Sequence, residues 1–179
     1  MQATQGLSDL LKSESTRREA FSTLVREYQQ RIYSIVRKMV ISHDDADDIV
    51  QEVFVKVWHN VENFKGDSSL FTWVYRIAVN ESLMFLRKRR RQQWFGSDIT
   101  EELENALISD KYVGADEIQQ KLQKAILRLP DKQRLVFNLK YFEDLSYEEI
   151  AEITETTVGS LKASFHHATK KIEEFLQDD

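Results

Sequence analysis

The sequence predicts an all-α protein made of two small helical domains joined by an acidic linker. Apolar residues recur at intervals of three and four along most of the 179 residues, which is the period of amphipathic helices. Five glycines and one proline are too few for a turn-rich β fold. The periodicity weakens over one acidic stretch, which places the two domains at residues 1–93 and 118–179 and the linker at residues 94–117.

The composition excludes several classes of protein and site. The chain has no cysteine, which rules out disulfides, thiolate metal sites and cysteine nucleophiles. No apolar run reaches the roughly 18 residues of a membrane span, and residues 1–11 lack the pattern of a signal peptide. The histidines form no metal-ligand pattern, and no phosphate-binding glycine loop is present. We therefore expect a cytoplasmic, non-catalytic protein without cofactors, bound metal or membrane insertion.

Three helices are predicted in the first domain. The first follows the apolar residues of segment 20–39 and stops at a break over residues 43–45. The second carries an apolar stripe over residues 46–61 behind an acidic first turn, which suits the positive end of the helix dipole. After a turn at residues 63–69, the third helix covers about residues 70–91. It is apolar nearly all round before it becomes basic, so we expect it to begin in a core and to end in solvent.

The charges are strongly polarised along the chain, although the net charge is only −5. Residues 97–118 carry seven Asp or Glu and one Lys, with a short helical turn predicted at residues 101–107. Just before this stretch, residues 87–91 are five consecutive cations. Charge distribution decides nucleic-acid binding better than net charge does, so this run favours an anionic partner over a merely solvated helix end.

The second domain has the pattern of a helix-turn-helix. Periodicity resumes at Ile118, and Pro130 marks the start of a new helix. Ser146 and Glu149 have the spacing of a capping box ahead of a short helix that ends at about Thr154. A longer helix starts at Val158 after a three-residue break. The alternative is the αα-hairpin of a simple bundle.

The last helix favours DNA binding over the plain hairpin. Residues 158–171 include three lysines and two histidines but no acidic residue, within a domain of negative net charge. Small polar and basic side chains suit phosphates and base edges in a major groove. The face expected to be exposed carries Ser160, Lys162, Ala163, His166 and Lys170.

Two sets of motifs resemble regions 2 and 4 of bacterial extracytoplasmic-function (ECF) sigma factors. The resemblance covers roughly residues 18–92 and 118–176, and the order and spacing of the motifs agree with the family. The region 2 motifs are DDIVQEVFVKVW at 47–58, FKGDSS at 64–69 and FTWVYRIAVN at 71–80. The region 4 motifs are LP at 129–130, LSYEEIAEI at 145–153 and VGSLK at 158–162.

The resemblance implies a subunit that binds core RNA polymerase, through its β′ coiled coil and β flap, and that recognises and helps to open promoter DNA. Phe64 would be the stacking wall for a flipped base and Asn80 a reader of its edge. The residues implied in polymerase docking are Asp47, Asp48, Gln51, Glu52 and Lys56. The residues implied at the −10 element are Phe64, Lys65, Asp67, Ser68, Arg76, Asn80, Arg87, Lys88, Arg89, Arg90 and Arg91. The residues implied at the −35 element are Ser160, Lys162, Ala163, His166, His167 and Lys170.

The last helix departs from the family in its charge. Many members carry several arginines near positions that are uncharged in this chain, which are Ala163, Ser164, His167 and Thr169. Fewer phosphate contacts weaken DNA affinity and flatten its salt dependence, so we expect weak autonomous binding to the −35 element. Another partner would then help to recruit region 4. The family also implies an anti-sigma factor as a partner.

Two other functions compete with that of a sigma factor. One is a stand-alone helix-turn-helix regulator, which would bind duplex DNA without polymerase. The other is a helical adaptor that binds only proteins. The aromatic and glycine-containing loop followed by the cationic run favours the sigma factor, because a duplex regulator needs no pocket for an unpaired base.

Overall fold

The computed structural model describes residues 2–92, 103, 104, 107 and 117–178. The described residues form helices and connecting loops, without a strand among them. The helices are α1 (Gln2–Lys12), α2 (Arg17–Val40), α3 (His43–Asn60), α4 (Leu70–Gln92), α5 (Glu117–Leu127), α6 (Asp131–Tyr141), α7 (Tyr147–Thr154) and α8 (Val158–Asp178), with a 3-10 turn at Val61–Asn63. The predicted all-α class with two helical domains is confirmed.

Helix α1 was not among the predicted elements. Leu11 is fully buried and Leu7 packs against the same core, so α1 covers one end of the first domain. The two leucines are four residues apart, which is the helical signal that the sequence offered. Most of the linker lies outside the described residues, but Leu103, Glu104 and Leu107 are helical, as expected for the short predicted turn.

The break between α2 and α3 is shorter than predicted. Helix α3 begins at His43 rather than after residues 43–45, because Ser42 caps it by accepting a hydrogen bond from the Asp45 N–H at 3.3 Å. The chain reverses at Ile41, whose φ of 67° is unusual for a β-branched residue. Burial of the Ile41 side chain in the core helps to hold this strained turn in place.

Helix α4 is the central element of the first domain and packs against α1, α2 and α3. Val74, Tyr75 and Ala78 are fully buried along its first half. Its last turn carries only basic and polar residues and lies at the surface. The predicted helix, apolar at its start and basic at its end, therefore matches the structure to within one residue at its C-terminus.

The two domains pack directly against each other. Helix α7 contacts α4, and α6 contacts α2. One apolar cluster runs from the core of the first domain into the second, where its members are Leu127, Leu135, Val136, Leu139, Leu145, Ile150, Ile153 and Leu161. A smaller cluster within the second domain joins α5, α6 and α8. The face of α6 opposite that smaller cluster is thus covered by the first domain.

The start of α7 has the predicted capping box. The Ser146 hydroxyl accepts a hydrogen bond from the Glu149 N–H at 3.1 Å, and the Glu149 carboxylate accepts one from the Ser146 N–H at 2.8 Å. The bond from the Ser146 backbone lowers the pKa of Glu149. Helix α7 ends at Thr154, where Glu155 takes up the left-handed conformation and starts the turn into α8.

We expect Ser146→Ala to lower the free energy of unfolding by about 1 kcal/mol, because the first turn of α7 loses its cap. Since the pKa of Glu149 is depressed in the folded state, its contribution is present above the unfolded value of about 4.3 and is lost as the pH falls through the folded value. Urea unfolding at several pH values measures both effects. Glu148→Gln is the matched control, and an equal loss in both variants would contradict this account.

Candidate nucleic-acid and protein interfaces

The first turns of α3 present an exposed polar face. Four of the five residues predicted to dock on polymerase are exposed to solvent on this helix, and they are Asp47, Asp48, Gln51 and Glu52. Positions 51 and 52 lie three and four residues after position 48, so the three side chains share one side of α3. The predicted grouping of these side chains is therefore present in the fold.

Beside this face, α2 and α3 border an apolar groove of about 500 Å³. Gln51 lines the groove together with Val55, whose surface is 48% exposed. Phe21 of α2 packs edge-on against Trp58, with the ring centroids 5.0 Å apart. The polar face and the groove are continuous through Gln51, and we call Asp48, Gln51, Glu52, Val55 and the groove the α3 surface.

The sequence analysis did not predict the apolar half of the α3 surface. Only polar residues of α3 were assigned to docking, because the valines of this helix were assigned to the apolar core stripe. Val53 and Val57 are indeed buried. Val55 lies between them on the opposite side of the helix. An apolar residue on an otherwise polar face was the signal that could have revealed the groove.

Lys56, the fifth predicted docking residue, holds α3 against α4. Its ammonium nitrogen lies 2.6 Å from a carboxylate oxygen of Glu81 and 3.6 Å from one of Glu52. The hydrogen bond to Glu81 raises the pKa of Lys56. This position therefore contributes to packing within the first domain, and its role in docking stays a prediction.

The loop from Phe64 to Ser69 lines a cavity of about 590 Å³ together with α1 and α7. Gly66 allows the loop to turn, since its φ of 79° lies in the left-handed region that favours glycine. Ser69 caps α4 by accepting a hydrogen bond from the Thr72 N–H at 3.0 Å. The charged or hydroxyl-bearing residues around the cavity include Lys12, Lys65, Asp67, Ser68 and Glu152.

Phe64 is covered in this arrangement. The residue is only 7% exposed, and the centroid of its ring lies 5.2 Å from that of Trp73. The Lys12 ammonium of α1 lies 5.7 Å from the Phe64 centroid. A base that stacks on Phe64 therefore has to displace Lys12, so α1 belongs to the candidate base-binding region although no such role was predicted for it.

Asn80 lies on α4 beside different cavities from the one that Phe64 lines. It borders a cavity of about 320 Å³ with Trp73 and Lys56, and another of about 210 Å³ with Ser160 of α8. Trp73 separates the two predicted parts of the base pocket, because it contacts Phe64 and also lines the cavity beside Asn80. The structure thus places Phe64 and Asn80 near the same tryptophan without joining them in one cavity.

The five consecutive cations at the end of α4 divide into two groups. A guanidinium nitrogen of Arg89 donates to Asp45 at 2.7 Å. Arg90 makes a two-point contact with Asp131 of α6 at 2.5 and 2.6 Å. The remaining cations are exposed and form no ion pair with any described residue, and they are Arg87, Lys88 and Arg91.

Asp131 is shared between two arginines. Besides its contact with Arg90, it lies 3.2 Å from the guanidinium of Arg134, which is 1% exposed. Burial lowers the pKa of Arg134 to about 10, so the side chain still carries its charge at neutral pH. Asp131 is therefore the counterion of a buried cation as well as a contact between the two domains.

Arg76, predicted to bind the −10 element, is also engaged by the second domain. One of its guanidinium nitrogens donates to the carbonyl oxygen of Glu152 at 2.7 Å. Another lies 3.1 Å from a carboxylate oxygen of Glu155. The side chain bridges α4 to the end of α7 and is half-buried.

Helix α8 presents its predicted face to solvent. All six residues expected at the −35 element are exposed, and they are Ser160, Lys162, Ala163, His166, His167 and Lys170. The helix begins where the Thr157 hydroxyl accepts a hydrogen bond from the Ser160 N–H at 3.3 Å. The arrangement of α7, a short turn and α8 is that of a helix-turn-helix.

Two classes of feature are missing from the part of the chain that the structure describes. No group of three or more His, Asp or Glu side chains there is arranged to hold a metal ion. None of the helices formed by these residues is both long enough and apolar enough to cross a membrane.

Comparison with known proteins identifies both domains. The family model for sigma-70 region 2 matches residues 24–92, and the model for sigma-70 region 4 matches residues 119–172. Together these matches cover more than half of the chain. The chain belongs to the sigma-70 family. The family predicted from the sequence motifs is confirmed.

The curated relatives of this sigma factor include several that are named ECF sigma factors. The chain is 33% identical over 170 residues to the RNA polymerase sigma-H factor of Pseudomonas aeruginosa, covering 89% of this chain and 88% of the relative. It is 34% identical over 168 residues to the ECF sigma-E factor of Escherichia coli K12, covering 89% and 87%. It is 32% identical over 169 residues to the ECF sigma factor SigW of Bacillus subtilis, covering 89% and 90%.

Two solved structures share the fold of this sigma factor. CnrH, solved in complex with the cytosolic domain of CnrY, superposes with a TM-score of 0.73 at 22% identity, over 99% of each chain. The sigma factor RpoE of Bartonella quintana, solved with the anti-sigma factor NepR, superposes with a TM-score of 0.67 at 25% identity, over 89% of this chain and 98% of that one.

We expect Arg89→Ala to lower the free energy of unfolding by about 1 kcal/mol, because its short ion pair with Asp45 ties α4 to the start of α3. Lys88→Ala is the matched control and should change stability by less than about 0.5 kcal/mol, because Lys88 is exposed and forms no ion pair with a described residue. Thermal and urea unfolding of both variants measure the difference. Equal stabilities would show that the division of the cationic run is wrong.

Proposed function

We propose that this sigma factor binds core RNA polymerase through the α3 surface. The observation that carries the proposal is the α3 surface itself, in which Gln51 joins an exposed polar face to an open apolar groove. Such a combination of an apolar centre and a polar rim is typical of protein interfaces. The groove lies within the segment that matches sigma-70 region 2.

The proposal assigns promoter recognition to surfaces on both domains. The exposed cations Arg87, Lys88 and Arg91 would contact phosphates of the −10 strand. The loop at residues 64–69 and Asn80 would take part in holding an unpaired base, once α1 moves away from Phe64. The exposed face of α8 would read the −35 element, with few cations to hold it there.

The proposed role has further consequences for partners and location. Two proteins of the same fold were solved with protein partners, CnrH with the cytosolic domain of CnrY and the sigma factor RpoE with the anti-sigma factor NepR. We extend the proposal to a partner of the anti-sigma type or another protein that recruits region 4. The protein would act in the cytoplasm, as a specificity subunit that carries no catalytic activity of its own.

We expect Val55→Lys to weaken binding to core RNA polymerase at least tenfold, because it places a charge in the apolar part of the α3 surface. Val55 is about half exposed, so the variant should fold normally. Met84→Lys is the matched control, since Met84 is 51% exposed on α4, away from the groove. Fluorescence anisotropy with labelled sigma factor measures both affinities, and circular dichroism verifies the fold.

The experiment has three informative outcomes. A loss confined to Val55→Lys supports docking through the α3 surface. Equal binding by both variants would contradict docking through the groove, and failure of the unmodified protein to bind polymerase would contradict the proposed function itself.

A further inference from the structure

The guanidinium of Arg17 joins the start of α2 to the end of α3. One of its terminal nitrogens donates a hydrogen bond to the carbonyl oxygen of Trp58, and the other donates to the carboxylate of Glu62. The Trp58 carbonyl belongs to the last turn of α3, where backbone oxygens lack intrahelical donors and the helix dipole stabilises a cation. The Arg17 side chain, which is 18% exposed, therefore caps the C-terminal end of α3.

The same guanidinium lies on the indole ring of Trp58. Its central carbon is 4.4 Å from the centroid of the ring. A planar cation on an aromatic face is attracted by the ring, and the attraction is stronger where water is partly excluded. Phe21 packs edge-on against Trp58 and also against Phe54, whose ring centroid lies 6.4 Å from that of Phe21. The indole is thus held by a cation and by an aromatic ring.

Trp58 forms part of the wall of the apolar groove in the α3 surface. It lines the groove together with Phe21, Phe54 and Val55, and it is only half-buried. Tryptophan is among the side chains that most often dominate the binding energy of a protein interface. A ring that is already ordered loses little freedom on binding, so contacts that fix Trp58 in the free protein favour docking.

The placement of Arg17 is not the most economical way to join the two helices. Its Nε atom is buried and has no hydrogen-bond partner among the described residues. A buried donor without a partner costs free energy. A lysine would pair with Glu62 without this cost, but a compact ammonium cannot lie flat on a ring while it makes both contacts. The feature that requires arginine here is the contact with the indole.

We propose that Trp58 is an anchor of the α3 surface for core RNA polymerase and that Arg17 is the positioning residue that holds its ring for docking. The inference rests on the proposed function and deepens it, because the groove is the one assigned to polymerase there. Neither residue was among the predicted docking residues. Arg17 acts through the indole and not on the partner itself.

The first test compares the affinities of full-length variants for core RNA polymerase. Arg17→Met removes the guanidinium, and Arg17→Lys keeps the charge without the planar group. Arg18→Met is the matched control, since Arg18 is the exposed neighbour and its loss changes the net charge equally. Fluorescence anisotropy measures each affinity, and circular dichroism verifies the fold.

We expect both Arg17 variants to bind polymerase about fivefold more weakly than Arg18→Met, because the indole then has to be immobilised on binding. Full affinity of Arg17→Met would show that the guanidinium is not needed and would overturn the proposal. Full affinity of Arg17→Lys would also overturn it, since a charge without the planar contact would then suffice.

A double-mutant cycle tests whether Arg17 acts through the ring. Trp58→Leu alone should weaken binding at least about tenfold, as expected for an aromatic anchor. Arg17→Met should then cause no further loss in the Trp58→Leu background, because the side chain that it positions is absent. An unchanged affinity of Trp58→Leu, or an equal effect of Arg17→Met in both backgrounds, would overturn the proposal.

Fluorine NMR of the free protein provides a readout of the ring itself. The chain has three tryptophans, so protein labelled with fluorotryptophan gives three resonances, and Trp58→Phe assigns one of them. In both Arg17 variants the Trp58 resonance should move toward its position in the urea-unfolded protein, while Arg18→Met leaves it in place. A Trp58 resonance that stays in place in the Arg17 variants would overturn the positioning role, even if affinity falls.

The outcome for Val55→Lys separates this inference from the proposed function. If the unmodified protein binds polymerase and Val55→Lys does not, while the Arg17 variants keep full affinity, the inference falls and the proposed function stands. If the unmodified protein does not bind polymerase, the proposed function falls and the inference falls with it.

Discussion

The packing of helix α4 sets the positions of most other elements. Its first half is buried against α1, α2 and α3, which fixes the helix as the centre of the first domain. Its remaining edge carries Arg76, Asn80 and the cationic run, and α7 lies along the same edge. Because one rigid helix serves both as core and as the site of domain contact, a ligand of Arg76 or Arg90 has to replace a contact made by the second domain.

Some acidic residues of the chain form ion pairs between the two domains. A net charge of −5 is unexpected for a protein that binds DNA. Several acids of the second domain, however, are directed at cations of the first, as Asp131 is at Arg90. Such pairs neutralise part of the basic charge of the first domain at its contact with the second.

The features that the sequence predicted are local ones. The capping box of Ser146 and Glu149 joins residues three positions apart, and the exposed face of α8 follows from helical periodicity. The division of the cationic run was not predictable, because Arg89 and Arg90 find partners more than 40 residues away in the chain. The cover that Lys12 provides for Phe64 likewise depends on tertiary packing.

The central claim is that the sigma factor docks on core RNA polymerase through the α3 surface. The chain lacks cysteine, so an environment-sensitive dye can be attached at Val55→Cys on that surface or at Met84→Cys on α4, two positions of similar exposure. Addition of core RNA polymerase should shift the emission of the dye at position 55 and leave that of the dye at position 84 unchanged. Unchanged emission at position 55 in a sample that binds polymerase would contradict the account.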